Sequence, residues 1–198
     1  SDPRATARAI DALRRGWPVT IDETISVLAI ESADSLRLES FDPNATADIL
    51  ISSSRAVTLK LANQRAAATM GEPVVIERTS WLDLAAAVAL ADPATDLANP
   101  LMGPFSACDV RHPDACLAAL DLARHAGLLP AFFVLDGIVD GAERVTAESV
   151  RNWDEPERLA IATRARLPVA ASDKAELVAF RSPEMAGEHV ALVIGQPN

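Results

Sequence analysis

The apolar positions of this chain change period several times, and each change marks an element. Ala9, Ile10 and Leu13 make a stripe at helical spacing within residues 2–15, which predicts an amphipathic helix. Asp2 and Pro3 supply its cap and first turn, and Gly16 its stop. Pro18–Ile21 and Ile25–Ile30 predict strands on either side of Asp22, Glu23 and Thr24. Ser35–Phe41 alternates apolar with polar and predicts a third strand, before a turn or short helix at Asp42-Pro43-Asn44. Asp48–Ser52 and Ala56–Ala62 are short apolar runs that predict two strands, broken by a turn at Ser52-Ser53-Ser54-Arg55.

Val74–Glu77 predicts a buried strand, and Ser80 a cap for a helix over Trp81–Ala91 that Asp92-Pro93 closes. A loop over Asp96–Pro104 and a strand over Phe105–Val110 follow. Pro113–His125 predicts a helix, with Cys116, Ala119, Leu120 and Ala123 on one face and Gly127 as its end. Ala131–Leu135 predicts a fully buried strand, Thr146–Asn152 and Glu155–Ala165 predict helices, and Leu167–Ala171 another strand. The chain closes on a strand at Glu176–Phe180, a turn at Ser182–Gly187 and a strand at Glu188–Ile194. Strands and helices alternate without strict order. The expected class is therefore α/β (α+β), a mixed β-sheet covered by helices. A two-stranded hairpin is marginal alone, so residues 174–198 are expected to open a further domain, after a first domain over residues 1–173.

Composition narrows the function. The 198 residues are 49% apolar, enough for a solid core, and carry 28 acidic against 18 basic groups for a net charge of −10. No Lys/Arg cluster exceeds a pair, which excludes a nucleic-acid backbone binder but leaves room for a small phosphorylated ligand. No apolar run approaches the ~20 residues that span a bilayer, and no charged-then-apolar leader opens the chain, so no membrane partner is expected. Two cysteines, Cys108 and Cys116, make neither a disulfide framework nor a C-x-x-C motif; packed thiols in a reducing cytoplasm are expected. Asp22 and Glu23 are the candidate acidic pair. Arg111 sits where a helix start could meet a phosphate, with His112 and Asp114 beside it. His125 is expected as a cation near a helix C-terminus, His189 as a structural strand residue, and Trp17, Trp81 and Trp153 as packing residues.

Two segments carry a resemblance. Residues 187–195, G-E-H-V-A-L-V-I-G, preceded by an apolar strand ending in Phe180 and Arg181, resemble the first hairpin of GTP cyclohydrolase II. The body of the chain is similar to 3,4-dihydroxy-2-butanone 4-phosphate synthase, a domain often fused in front of that cyclohydrolase in riboflavin biosynthesis. Ala118–Pro130, AALDLARHAGLLP, is close to the family's A-V-D-L-A-R-L-A-G-L-x-P. Arg78–Pro93, Ile49–Leu61, Ala9–Glu23 and Leu167–Phe180 match further family segments in order. What the resemblance implies is a synthase scaffold followed by the opening of a cyclohydrolase domain, a homodimer by analogy, and a parent reaction that opens GTP with release of formate and pyrophosphate. Zinc would belong to the cyclohydrolase half, which needs a three-cysteine cluster; no cofactor is expected within residues 1–198.

The family's reactive residues are where the resemblance fails. The synthase takes ribulose 5-phosphate through enolisation, rearrangement and loss of formate, which calls for a divalent metal, carboxylates and a histidine. The family's acidic loop D-D-E-D-R-E-N-E is reduced here to Asp22-Glu23-Thr24. In the register that aligns Asp121-Leu122-Ala123-Arg124, the family's H-T-E becomes Ala115, Cys116 and Leu117, and Leu84 replaces the Arg after Asp83. Asp22 and Glu23 are then vestigial, and the expected state is a catalytically silent region. Two alternatives stand beside it. One is an active lyase with a rearranged site, in which Asp22, Glu23, Arg111, His112 and Asp114 converge and Mg2+ is required. The other is a ligand-sensing or dimerisation module.

Overall fold

The computed structural model describes residues 2–61, 63–99, 102–154, 160–167, 174–181 and 188–195. Contacts divide the chain into two compact units, 1–151 and 152–198. The first is a seven-stranded sheet with helices on both faces. Its order is β5-β4-β3-β6-β2-β1-β7, with β1 Val19–Ile21, β2 Ile25–Ala29, β3 Asp48–Ile51, β4 Val74–Ile76, β5 Ala107–Cys108, β6 Ala131–Asp136 and β7 Glu143–Val145. All neighbours are antiparallel except β1 and β7. The expected mixed α/β class with a mixed, helix-covered sheet is the one observed.

Helix α1 (Pro3–Arg14) begins as its sequence predicts. Asp2 accepts the Arg4 N–H at 2.9 Å and Pro3 fills the first turn. The Trp17 and Gly16 N–H groups return to Ala12 O and Leu13 O, a C-terminal motif that needs a left-handed residue. Gly16 supplies it at φ +70, and a Cβ there would sit 2.3 Å from Ser32 O. Helix α5 (Pro113–Ala126) ends the same way on Gly127, at φ +70. α1, α5 and α6 (Ala147–Arg151) pack on one another, and α1 and α5 against β1 and β2. The other face carries Leu28, Ile30, Ile49, Ile51, Ile76 and Phe133 beneath Phe41, Ala56 and Leu90. Strand residues of the opposite parity, Val27, Leu50 and Phe132, are fully buried too. The central strands are thus apolar on both sides, which is why they read as unbroken apolar runs.

That second face holds the helices the alternation concealed. Ser35–Phe41 is a helix, α2, and not a strand. Asp34 caps it by accepting the Arg37 N–H at 2.8 Å, and Leu38 and Phe41 turn inward at helical spacing while Leu36 stays exposed. The run expected as a strand from Ala56 belongs to helix α3 (Ser53–Thr58), capped by Ser52 and closed where Lys60 takes φ 61. Helix α4 (Leu84–Ala91) starts later than expected because Asp83, not Ser80, binds the Ala86 N–H at 2.9 Å. β5 is shorter than the expected Phe105–Val110, and β7 adds a strand to the expected set.

The second unit is a three-stranded antiparallel sheet in the order β10-β9-β8, with β8 Ala160–Arg166, β9 Ala175–Arg181 and β10 Glu188–Ile194. The terminal hairpin is present with full register from Glu188↔Arg181 to Ile194↔Ala175. Residues 160–165, expected as helix, are a strand instead: β8 gains cross-strand partners on β9 that local propensity does not report. The third strand draws the division between compact units forward to Arg151/Asn152, ahead of the family boundary expected at 173/174. The rest of that expected helix (155–159), most of the expected strand from Leu167 (168–171) and the expected turn (182–187) lie outside the described residues.

Candidate functional site

A cleft of about 290 Å3 opens at the N-terminus of α5. Its floor is the sheet, through Val75 and Val134, and its wall is the segment Cys108–His112 that leads β5 into the helix. Pro113 occupies the first turn, and the capping residue His112 makes no side-chain cap bond. β3 and β6 run antiparallel with Asp48 opposite Val134. The start of one therefore adjoins the end of the other, and Asp48 and Asp136 reach the same rim. Arg111 pairs with Asp136, with 70% and 46% of the side chains exposed. Asp48 accepts the backbone N–H of Arg78 at 2.9 Å. Cys116 lines the cleft but is buried, and burial pushes its thiol up to about 11, reinforced by the charge of Asp136. Cys108 is raised as well, by burial first and then by Asp48 and Glu77. Both thiols are protonated at neutral pH and are weak nucleophiles.

Two of the three positions aligned with the family's H-T-E carry no polar group. Ala115 is buried and has no group to move a proton, and Leu117 is 38% exposed with no oxygen to offer. Mg2+ takes oxygen ligands in near-octahedral array, and the residues at this helix start do not fit it. Among the described residues, no group of three or more His, Cys, Asp or Glu is placed to hold a metal ion.

Asp22 and Glu23 lie elsewhere. They are the two central residues of the β1–β2 turn, at φ 49 and 56, closed by Thr24 N–H to Ile21 O at 3.0 Å. That is the primed geometry hairpins favour and glycine normally fills. Asp22 accepts the Ala147 N–H at 3.0 Å, at the start of α6, and Glu23 meets Arg144 at 3.1 Å. With Thr20, Glu148 and Ser149 they line a separate depression. The structure thus brings Arg111 and His112 to one cleft and Asp22 and Glu23 to another; Asp114 lines neither. His125 falls in the last turn of α5, and His189 on β10 opposite Phe180. Trp153 is buried; Trp17 lies 5.9 Å beneath Arg15, and Trp81 lies 5.6 Å from Phe105.

Sequence reasoning passed over Asp48, Asp109 and Asp136. No motif surrounds them. The available signal was position: Asp48 opens one apolar strand and Asp136 closes another, and strand ends are where side chains of a sheet reach a rim. It also passed over Arg55, which is buried, and Arg78, which is half-buried. Arg55 makes a bidentate pair with Asp96 at 2.7 and 2.8 Å and donates to Leu90 O at 2.6 Å. Arg78 lies 5.0 Å over the Phe133 ring and 3.6 Å from Asp42.

Fold and cleft together define a mixed α/β scaffold with a polar rim at a helix start, where Arg111 and His112 meet the carboxylates of Asp48, Asp109 and Asp136. In sequence the chain is similar to a GTP cyclohydrolase-2 from Azospirillum brasilense, 29% identical over 216 aligned residues that cover 98% of this chain and 54% of that protein. The chain spans about half the length of this curated relative. The similarity agrees with the riboflavin-biosynthesis family named from its motifs. Among solved structures it is similar to RibBX, a two-domain 3,4-dihydroxy-2-butanone 4-phosphate synthase from A. baumannii, with a TM-score of 0.47, 16% identity, and coverage of 96% of this chain and 70% of that one. No family model matches the chain. No helix among the described residues is long and apolar enough to cross a membrane.

Proposed function

We propose that this chain is the N-terminal, catalytically silent synthase-like region of a GTP cyclohydrolase II type protein. Residues 1–173 form the degenerate synthase domain, and 174–198 the first hairpin of the cyclohydrolase. The whole protein would open GTP with release of formate and pyrophosphate, in the cytoplasm, as a homodimer. The region described here needs no cofactor of its own; zinc belongs to the other half. The observation that carries the reading is the start of α5, where Ala115, Cys116 and Leu117 stand in place of a proton carrier, a hydroxyl and a carboxylate. Filling a polar pocket with apolar groups removes a desolvation cost, so such erosion is tolerated once catalysis is not selected.

The test is direct. The chain is incubated with ribulose 5-phosphate and Mg2+, and formate is measured. No release above background is expected; metal-dependent formate release would overturn the reading. A second reading, a module that binds a small phosphorylated ligand without turnover, is favoured by the cleft itself, which is open and carries Arg111 beside a 14-residue helix start. Thermal shift with ribose 5-phosphate separates the two, since only the second expects stabilisation.

A further inference from the structure

Arg55 and Arg78 have side chains removed from water to nearly the same degree, 8% and 10% exposed, and are unequally satisfied. Arg55 donates to both oxygens of Asp96 and to two backbone carbonyls. Arg78 makes one long side-chain hydrogen bond, from Nη1 to Ala47 O at 3.3 Å. Asp42 balances its charge from 3.6 Å, but the Asp42 oxygens accept the Thr46 and Ala47 N–H groups at 2.8 Å. Nε and Nη2 of Arg78 are left with no hydrogen-bond acceptor among the described residues. A guanidinium carries five N–H donors, and leaving donors unmet in a desolvated place is costly.

These nitrogens are not sealed in. Among the described residues, the side-chain atoms cut off from both solvent and a partner are Thr6 Oγ1 and Thr79 Oγ1, so the open nitrogens of Arg78 still reach solvent. Arg78 lines a depression of about 580 Å3 between α2 and the start of α4. The Phe133 ring, 5.0 Å from the guanidinium, backs it on one side. Leu38, Pro43 and Leu84 give the depression apolar walls. Apolar walls with a few convergent polar groups are the usual make-up of a small-molecule site.

Charge selects the ligand. Glu39, Asp42 and Asp83 line the same depression, three carboxylates against one guanidinium. That balance disfavours the phosphate or carboxylate that a guanidinium alone would invite. It favours an uncharged group whose oxygen accepts from Arg78 and whose N–H donors turn to a carboxylate. We infer that the depression between α2 and α4 binds a small uncharged amide, with its carbonyl oxygen on the open nitrogens of Arg78 and its apolar body against Leu38, Pro43 and Leu84. It shares no lining residue with the cleft at α5, and it goes beyond both readings of that cleft.

Saturation-transfer NMR on the chain with benzamide and with benzoate tests it. The two probes share a ring and a carbonyl group and differ in charge. Benzamide is expected to bind, and benzoate to bind about five-fold more weakly or worse. Arg78→Met removes the donors and is expected to abolish benzamide binding. Should Arg78→Met not fold, Ala85→Trp decides: Ala85 is exposed and lines the depression, so the indole fills the space without entering the core. Ala85→Trp is expected to weaken benzamide about ten-fold or more, with its unfolding midpoint in urea unchanged. No saturation transfer from the wild-type chain to benzamide overturns the site, as does binding that Ala85→Trp leaves untouched. Benzoate bound as tightly as benzamide overturns the uncharged class of ligand. None of these outcomes bears on formate release, so the silent-synthase reading stands or falls separately.

Discussion

Arg55 and Arg111 each meet an aspartate, one inside the fold and one at its surface. Arg55 is 8% exposed and spends its donors on both oxygens of Asp96 and on the carbonyls of Leu90 and Ala89. It ties α3 to the end of α4 and to the loop beyond. Arg111 is 70% exposed and shares a single carboxylate at the mouth of a cleft. The same two residue types therefore do different work. A desolvated guanidinium with every partner in place is part of the architecture, because removing it strands groups that water cannot reach. A hydrated one can exchange partners at little cost, which is what a ligand-facing group requires.

Arg55→Ala is the sharpest way to break that comparison. It is expected to lower the unfolding free energy in urea by more than the ~1 kcal/mol of a surface pair, because loss of the buried guanidinium leaves the carbonyls of Leu90 and Ala89 without their donor. A loss below about 1 kcal/mol would mean the pair is worth no more than its surface counterpart. pH offers an independent reading. The hydrogen bond from Arg55 holds the Asp96 carboxyl below its ordinary value of 3.8. A depressed folded-state pKa stabilises above the unfolded value, and that contribution is lost as pH falls through the folded one. Acid unfolding below pH 3.8 should therefore be less steep in Arg55→Ala than in the parent chain.

How far all this could be read in the sequence depended on which signal each element used. α1 and α5 carry their own caps, stops and stripes, and both appear within a residue or so of their expected ends. α2 and α3 depart from the expected strands because in Ser35–Phe41 and in the run from Ala56 the apolar residues fall in strand-like patterns; the deciding signals are the capping oxygens of Asp34 and Ser52. β8 shows the converse. Its alanines favour helix, and only its pairing with β9 makes it a strand. Around the cleft the sequence offered one comparison, Ala115, Cys116 and Leu117 at the positions of a family's H-T-E, and of these three Cys116 lines it. Asp48 and Asp136 could not be found, since what joins them is the antiparallel register of β3 and β6 and not any spacing along the chain.

The Asp22–Glu23 turn lies between the two arginine pairs in character. Asp22 is tied to the start of α6, while Glu23 holds only an exposed partner. Glu23 also takes φ 56, a conformation that costs a side-chain-bearing residue about 1–2 kcal/mol, set against the extra chain entropy glycine loses on folding. Glu23→Gly is expected to stabilise the chain by roughly 0.5–1 kcal/mol in urea unfolding, because relief of the backbone outweighs loss of a surface ion pair. Destabilisation would show that Glu23 carries a contact worth more than the strain it imposes, and would move the turn into the same class as Arg55.

Arg111→Ala is the smallest perturbation and the one that separates structure from binding. Its charge is hydrated and its partner Asp136 is nearly half exposed, so neither group is stranded by the loss of the other. Unfolding free energy should change by less than about 0.5 kcal/mol. If the cleft holds a phosphorylated ligand, the stabilisation by ribose 5-phosphate in thermal shift should vanish in this variant while its unfolding midpoint in urea stays put. A ligand response that survives the substitution would place the phosphate elsewhere. A large stability loss would make Arg111 a second Arg55, a structural cation, and would leave the rim's carboxylates and His112 without a guanidinium to offer a phosphate.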